Sequence, residues 1–393
     1  MAERNLDFDT VVDRRQTKSL KYDFAVRRGK PENILPLWVA DMDFKTSSYV
    51  LDALTAMAWH GIFGYSESEE QYFEAVRGWM KKRHDWDVEE EWLIKTPGVV
   101  YAIAMAIQAF TEVGDGVLIQ QPVYYPFSEV IEDNERRLVN CPLVRDANGR
   151  YGIDFADFER KLVEERVKLF VLCNPHNPVG RVWTVEELTR LGDLCLKYDV
   201  LIISDEIHSD FVFAGKHTVF PLVQERFRRH CIVCTSPSKS FNLAGLQVSN
   251  IFVEAPELRD KMNKQIAKSG YSQVGLPGLV ACEAAYRYGE EWFEAVSDYI
   301  RFNGEFVKSY LSEKLPRVGF TDWEGTYLIW LDFSAYGLSD EELNRRIVYD
   351  AGLWLDGGSI FGKDGEGFQR VNIACPRSIL KQALDRLAAV FPA

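Results

Sequence analysis

Between residues 92 and 255 short apolar runs alternate with longer amphipathic stretches, and this alternation constrains the fold more than any other feature of the chain. The runs are GVLIQ (116–120), KLFVLC (168–173), VLIIS (200–204), CIVCTS (231–236) and NIFVEA (250–255). The stretch 184–198 between two of them opens with a Thr184/Glu187 capping box and repeats apolar residues at a spacing of three to four, which predicts a helix. Continuous apolar strands alternating with helices predict an α/β fold with a mainly parallel sheet covered on both faces. The ends of the chain read differently. Residues 1–45 are polar and irregular apart from LPLWVADMDF, and a long helical region around 277–315 precedes two strand-like stretches, 324–333 and 368–374, separated by a helix and a Gly-rich loop. This predicts a large domain over 46–285 and a smaller α+β domain built from 286–393, with the segment 1–45 packed against it. No internal repeat and no flexible linker stand out.

Several function classes are disfavoured at once. A net charge of −13 argues against a nucleic-acid groove or an anionic membrane surface as partner, so a site for an anionic ligand requires a local concentration of donors. The most apolar helical stretch, Val99 to Phe110, is too short to span a bilayer, and the N-terminal residues lack the basic and apolar regions of a signal peptide. The seven cysteines are scattered, an odd count that predicts reduced thiols and a cytoplasmic home. Cys231 and Cys234 form a C-x-x-C inside an apolar run with no second pair, and read as buried strand cysteines. No metal site is expected.

Polar clusters follow three of the apolar runs. Asn174 to Gly180 (N-P-H-N-P-V-G) follow KLFVLC, Asp205-Glu206-Ile207-His208 follow VLIIS, and Pro237-Ser238-Lys239-Ser240 follow CIVCTS. In an open parallel sheet the carboxyl ends of the strands line one edge, where ligands bind, so Asn177, Asp205 and Lys239 can converge. Taken singly, the clusters also read as a Pro/Asn turn, a strand-end acid capping a helix and a surface lysine; their joint occurrence in this order favours a site.

Together the clusters resemble the signature of fold-type I pyridoxal-5′-phosphate (PLP) enzymes: N-P-x-N-P-x-G, then D-x-x-(Y/H), then S-x-S-K. The resemblance runs over nearly the whole chain and extends to the cystathionine β-lyase/C–S lyase subgroup of the MalY/PatB kind, through WVADMDF (38–44), HGIFGYS (60–66), SDEIHSD (204–210) and FQRVNIACPR (368–377). It implies the aspartate-aminotransferase type of PLP-dependent transferase fold, with a seven-stranded sheet.

The resemblance also implies roles, which the chemistry of the residue types supports. Lys239 holds the cofactor as a Schiff base and, once released by substrate, is a base toward Cα. Asp205 keeps the pyridine nitrogen protonated, and Asn177 and His208 hydrogen-bond the ring's phenolate oxygen. Most aminotransferases of this fold have a tyrosine where this chain has His208. Tyr124 stacks on the ring and can assist catalysis through its hydroxyl. The phosphate is expected on the backbone of Gly98, Val99 and Val100 at a helix N-terminus, with hydroxyl donors from Ser236 and Ser238. Gln247 stands where many aminotransferases carry a phosphate-binding arginine. Tyr65 is expected to reach the phosphate from the neighbouring subunit of a homodimer. Arg370 is expected to bind the substrate α-carboxylate through its planar fork, with the backbone around Val39 and Ala40 completing that pocket, while Arg181 and Arg377 read as structural.

Lys239, Asp205 and Arg370 serve elimination and transamination equally. His208, Gln247 and the WVADMDF segment favour the lyase, and the aromatic N-terminal region (Tyr22, Trp38, Phe44) suits a thioether tail. The expected reaction is α,β-elimination from L-cystathionine or a related cysteine S-conjugate. An amino-acid aminotransferase is the alternative, and a regulatory protein-binding module on the same fold stands further off.

Overall fold

The structure, a computed structural model, describes residues 2–146 and 149–392. Its centre is a seven-stranded sheet made of β1 (Leu93–Thr96), β2 (Gly116–Ile119), β3 (Arg137–Asn140), β4 (Val167–Cys173), β5 (Leu201–Asp205), β6 (Cys231–Thr235) and β7 (Ser249–Phe252), in the spatial order β1-β7-β6-β5-β4-β2-β3. All neighbours pair in parallel except β7, which is antiparallel to both β1 and β6. The sheet is therefore mainly parallel, as the apolar runs predict. The reversed direction of β7 and the edge strand β3 are not visible in that pattern. In β3 only Val139 is buried, so the strand lacks the continuous apolar run that marks a central one.

Both faces of the sheet are covered, and the period of two along each strand decides which side a residue packs on. Val117, Ile119, Leu169, Val171, Ile203 and Ile232 share one buried cluster, while Leu118, Phe170, Leu172, Ile202 and Val233 belong to the other. Each such side chain contributes about 1.5–3 kcal/mol by leaving water. The first cluster is roofed by the helix α1 (Val99–Phe110), whose Val99, Ile103, Ala106 and Ile107 are buried against it. The helix α2 (Val185–Lys197) covers the other face and starts at Thr184 with both bonds of the expected capping box. The helical region after residue 275 divides into α3 (Leu276–Tyr288) and α4 (Glu290–Lys314) at Gly289. A Cβ there would lie 2.5 Å from the Phe241 ring and 2.6 Å from the Ala285 carbonyl, so the junction admits only glycine.

The C-terminal part carries a four-stranded antiparallel sheet of β8 (Gly319–Phe320), β9 (Leu328–Asp332), β10 (Asp356–Gly357) and β11 (Phe368–Asn372), ordered β8-β9-β11-β10. The N-terminal segment meets this part of the chain: Leu35–Pro36 pair in parallel with Leu353–Trp354, Asn372 N donates to Leu37 O, and Asp43 N donates to Ala374 O. No helix among the described residues is long and apolar enough to cross a membrane.

Candidate active site

The strand register brings the three polar clusters to one edge. Cys173 at the end of β4 pairs with Asp205 at the end of β5, and Asp205 pairs with Cys234 of β6. The chain leaves β4 into Asn174–Gly180 and leaves β6 into the single helical turn Pro237–Ser240, which carries Lys239. Between these ends and the start of α1 lies a cavity of about 180 Å³. Ala40, Gly98, Val99, Val100, Tyr124, Asn177, Asp205, His208, Ser238 and Lys239 all line it.

Lys239 is the cation at its centre. Burial pulls its amine down to about 8; Asp41 opposes that shift and Arg370 adds to it. The amine donates to the Ala40 carbonyl at 2.7 Å. Its turn is fastened from behind: Ser240 Oγ donates to Asp210, which also accepts from Trp79 Nε1 at 3.2 Å and lies 2.9 Å from His84 Nε2. Burial would raise the Asp210 carboxyl, but His84 and Ser240 hold it below its usual range.

Asp205 faces the other side of the cavity. Burial pushes its carboxyl up to about 7, against the hydrogen bond from Ile207 N and the charge of Lys239. His208 is buried with no partner for Nδ1, and burial, then Lys239 and Arg370, keep its ring neutral well below the usual histidine range. Tyr124 packs beside Tyr125 and Phe127, and burial raises its hydroxyl pKa. At the far end Gly98 caps α1, leaving the first N–H groups of that helix without intrahelical partners, and a Cβ on Gly98 would meet open space. A buried lysine amine, a buried carboxylate, an orphaned imidazole nitrogen, an aromatic ring and a helix N-terminus fit a flat phosphorylated aromatic aldehyde.

Four expected site residues stand outside this lining. Ser236 caps the Lys239 turn, accepting from Ser238 N at 3.0 Å, and its hydroxyl reaches the Val248 carbonyl at 2.7 Å. It supports the turn, and Ser238 is the serine that faces the cavity. Tyr65 is fully exposed and does not line its own chain's cavity. Arg370 is buried next to the cavity and donates to Asn177 Oδ1 at 3.1 Å. The carbonyls of Val39 and Ala40 are engaged away from Arg370, the first by Asn372 Nδ2 at 2.6 Å and the second by Lys239. The backbone group on Arg370 is the Trp38 carbonyl, at 2.7 Å. Gln247 is exposed and absent from the lining. Arg181 is structural, held by Glu187 and Glu324, and Arg377 donates to Asn303 Oδ1.

The profile described as aminotransferase class I and II matches residues 33–387. The chain belongs to that family. Within it, this member is 43% identical to the cystathionine beta-lyase PatB of Bacillus subtilis over 98% of its own length and 100% of that protein. It is 32% identical to protein MalY of Escherichia coli over 97% of both chains. The crystal structure of cystalysin from Treponema denticola, which contains a pyridoxal 5′-phosphate cofactor, superposes with a TM-score of 0.94 at 36% identity over 98% of both chains.

Asp356 and Tyr327 are site residues that no sequence motif marked. Asp356 pairs with Arg370 directly across the β10–β11 ladder, and the two side chains form a buried ion pair. Tyr327 donates its hydroxyl to the Ala40 carbonyl at 2.9 Å. An aspartate before two glycines and a tyrosine just ahead of an apolar strand carry no local pattern from which these contacts follow.

Proposed function

We propose that this protein is a PLP-dependent carbon–sulfur lyase that cleaves L-cystathionine or a related cysteine S-conjugate into a thiol, pyruvate and ammonia. The observation that carries the reading is the convergence of Lys239, Asp205 and Asn177 on one cavity, in a chain related over its full length to a cystathionine beta-lyase.

PLP, when bound, supplies an electron sink for the charge left at Cα when its proton is removed. The side chains of the cavity supply the rest. The N–H groups of Gly98, Val99 and Val100 and the Ser238 hydroxyl hold the phosphate. Asp205 provides the negative charge opposite the ring nitrogen, and Asn177 and His208 are the donors toward the ring oxygen. Tyr124 supplies a stacking face. Arg370 takes the α-carboxylate and so fixes the substrate's orientation. Lys239 Nζ would accept the Cα proton; burial, which lowers its pKa to about 8, leaves a useful fraction of neutral amine near neutral pH. The thiolate then leaves from Cβ, and hydrolysis of the released three-carbon enamine gives pyruvate and ammonia.

The assembly that suits this site is a homodimer in which Tyr65 of one subunit reaches the phosphate of the other. In support, Trp59, Ile62, Phe63 and Tyr65 are 86%, 70%, 67% and 102% exposed in the single chain, a run of apolar surface that a partner would cover. Seven buried free cysteines suit a reducing cytoplasm.

The deciding experiment incubates purified holoenzyme with L-cystathionine and no keto acid. Pyruvate and free thiol in equal amounts are expected. Consumption of cystathionine only when a keto-acid acceptor is added, with the acceptor converted to its amino acid and no free thiol or pyruvate formed, would replace the lyase with an aminotransferase.

A further inference from the structure

The guanidinium of Arg370 has no bidentate fork free. Its two forks, Nε with Nη2 and Nη1 with Nη2, share Nη2, which has two protons to give. One goes to the Trp38 carbonyl at 2.7 Å and the other to the Asp356 carboxylate. Nη1 donates to Asn177 Oδ1, and Nε has no partner. Any carboxylate that binds Arg370 in two-pronged fashion must therefore evict one of the two acceptors on Nη2.

These acceptors differ in how firmly they are held. The Trp38 carbonyl belongs to a backbone segment fastened on its C-terminal side, where Asn372 Nδ2 donates to Val39 O and Asp41 O, each at 2.6 Å. The Trp38 ring is stacked on Trp354, with centroids 4.3 Å apart. Asp356 is held on Arg370 by a side chain that needs only a rotation to leave. Lys30, whose charge acts on Asp356, offers it an alternative cation.

Building on the assignment of Arg370 to the substrate carboxylate, we propose that Asp356 is an internal competitor for that site. Its carboxylate occupies the Arg370 fork until the substrate α-carboxylate displaces it. The displacement costs every carboxylate ligand the same, so it lowers the absolute affinity of the site without changing the ratio between ligands. A ligand that offers only a carboxylate, pyruvate included, exchanges one carboxylate on Arg370 for another and is left weakly bound. An amino acid offsets the cost through the bond of its amine to the cofactor and through its side chain.

The test measures propionate binding to holoenzyme by calorimetry; propionate has no amine and cannot react with the cofactor. Asp356→Asn keeps the shape of the side chain and an acceptor for Nη2 but removes the competing charge, and Asp356→Ser removes the reach as well. Either variant alone decides the matter. Propionate is expected to bind about tenfold more tightly to each than to the wild type, the size of effect that loss of one charge-assisted contact brings. Equal or weaker binding would make Asp356 a positioning residue for Arg370 and overturn the proposal. Arg370→Gln separates the two assignments. If it leaves propionate affinity unchanged, Arg370 is not the carboxylate site and the competition fails with it; if affinity is lost there but not gained in the Asp356 variants, only the competition is overturned.

Discussion

The amine of Lys239 donates a 2.7 Å hydrogen bond to the carbonyl of Ala40, 199 residues earlier in the chain. The same carbonyl accepts from the Tyr327 hydroxyl, and the neighbouring carbonyl of Trp38 accepts from Arg370. Residues 38–42 are thus a strap between the Lys239 turn and strand β11, and Asn372 and Asn242 are its fastenings. Asn372 holds Val39 O and Asp41 O, and Asn242 bonds both the N–H and the carbonyl of Met42. Asn372→Ala removes two bonds to half-buried carbonyls and the bond its Oδ1 accepts from Ala374 N, and a loss of about 2–3 kcal/mol is expected in denaturant unfolding. KM should rise more than kcat falls, because freeing Val39 loosens the adjoining Trp38, whose carbonyl is the one on Arg370. A variant with wild-type stability and KM would show that the strap is held by other means.

The depressed pKa of Lys239 sets a pH dependence. Only the neutral amine attacks an aldehyde. Burial lowers the amine to about 8, so the neutral fraction grows as pH rises through that value. Covalent capture of PLP by the cofactor-free protein, followed by its visible absorbance, should therefore speed up with pH around a midpoint near 8. A midpoint in the ordinary lysine range would contradict the burial of this amine. Lys239→Ala should give colourless protein.

Asp205 is the second buried charge of the site. Burial raises its carboxyl to about 7, and a cationic ring nitrogen beside it would keep it ionised when the cofactor is in place. Asp205→Asn should still bind PLP through Lys239 and the α1 N-terminus, while pyruvate formation from cystathionine drops on the order of 10²–10⁴-fold, the range expected when proton control at a reacting group is lost. An undiminished rate in fully loaded Asp205→Asn would remove Asp205 from the chemistry.

What the sequence made legible follows from where free energy is concentrated. Strands β2, β4, β5 and β6 are buried on both faces and write themselves as apolar runs, and the polar residues that end them mark the site edge. Asn177, Asp205 and Lys239 were readable for that reason. Strand β3 was not, because only Val139 of its four residues is buried, and no residue pattern encodes that β7 runs backwards. The residues that arrange Arg370 were hidden for a different reason. Asp356 reaches it across a two-residue strand pairing and Trp38 through a carbonyl, so one contact depends on register and the other on backbone alone. Ser236 was readable as a polar neighbour of Lys239, but only the structure shows its hydroxyl reaching the Val248 carbonyl.

The apolar run from Trp59 to Tyr65 starts in the last turn of the helix Ser48–His60 and lies open to solvent in the single chain. Phe63→Asp places a charge in the middle of the surface proposed to be covered, and burying it unpaired would cost several kcal/mol. Sedimentation should show dimers of the wild type and monomers of this variant, and the monomers should retain PLP poorly because the partner's contribution to the phosphate is gone. An unchanged mass would place the subunit contact elsewhere.

Asp41 of the strap belongs to a partly buried square of charge. Lys21, with no exposed side-chain surface, lies 2.9 Å from Asp43 and 3.6 Å from Asp41, and Arg14 bonds both carboxylates at 2.7 Å. Two cations balance two anions. Lys21→Met leaves one carboxylate uncompensated, and the expected loss is roughly 3–5 kcal/mol. Asp41→Asn in the same chain restores the balance, so the double variant should be more stable than Lys21→Met alone, which a double-mutant cycle by denaturant unfolding would detect. The pH dependence has a definite sign. Burial would raise the Asp41 carboxyl, but the bond and charge of Arg14 and the charge of Lys21 bring it below its usual range. A carboxyl depressed in the folded state contributes stability that is complete above its unfolded pKa, near 4, and is lost as pH falls toward the folded value. The wild type should therefore lose stability on acidification through this window more steeply than Asp41→Asn, which has no proton to take up there. Parallel acid titrations of the two would refute the role of the Asp41 charge in holding the strap over Lys239.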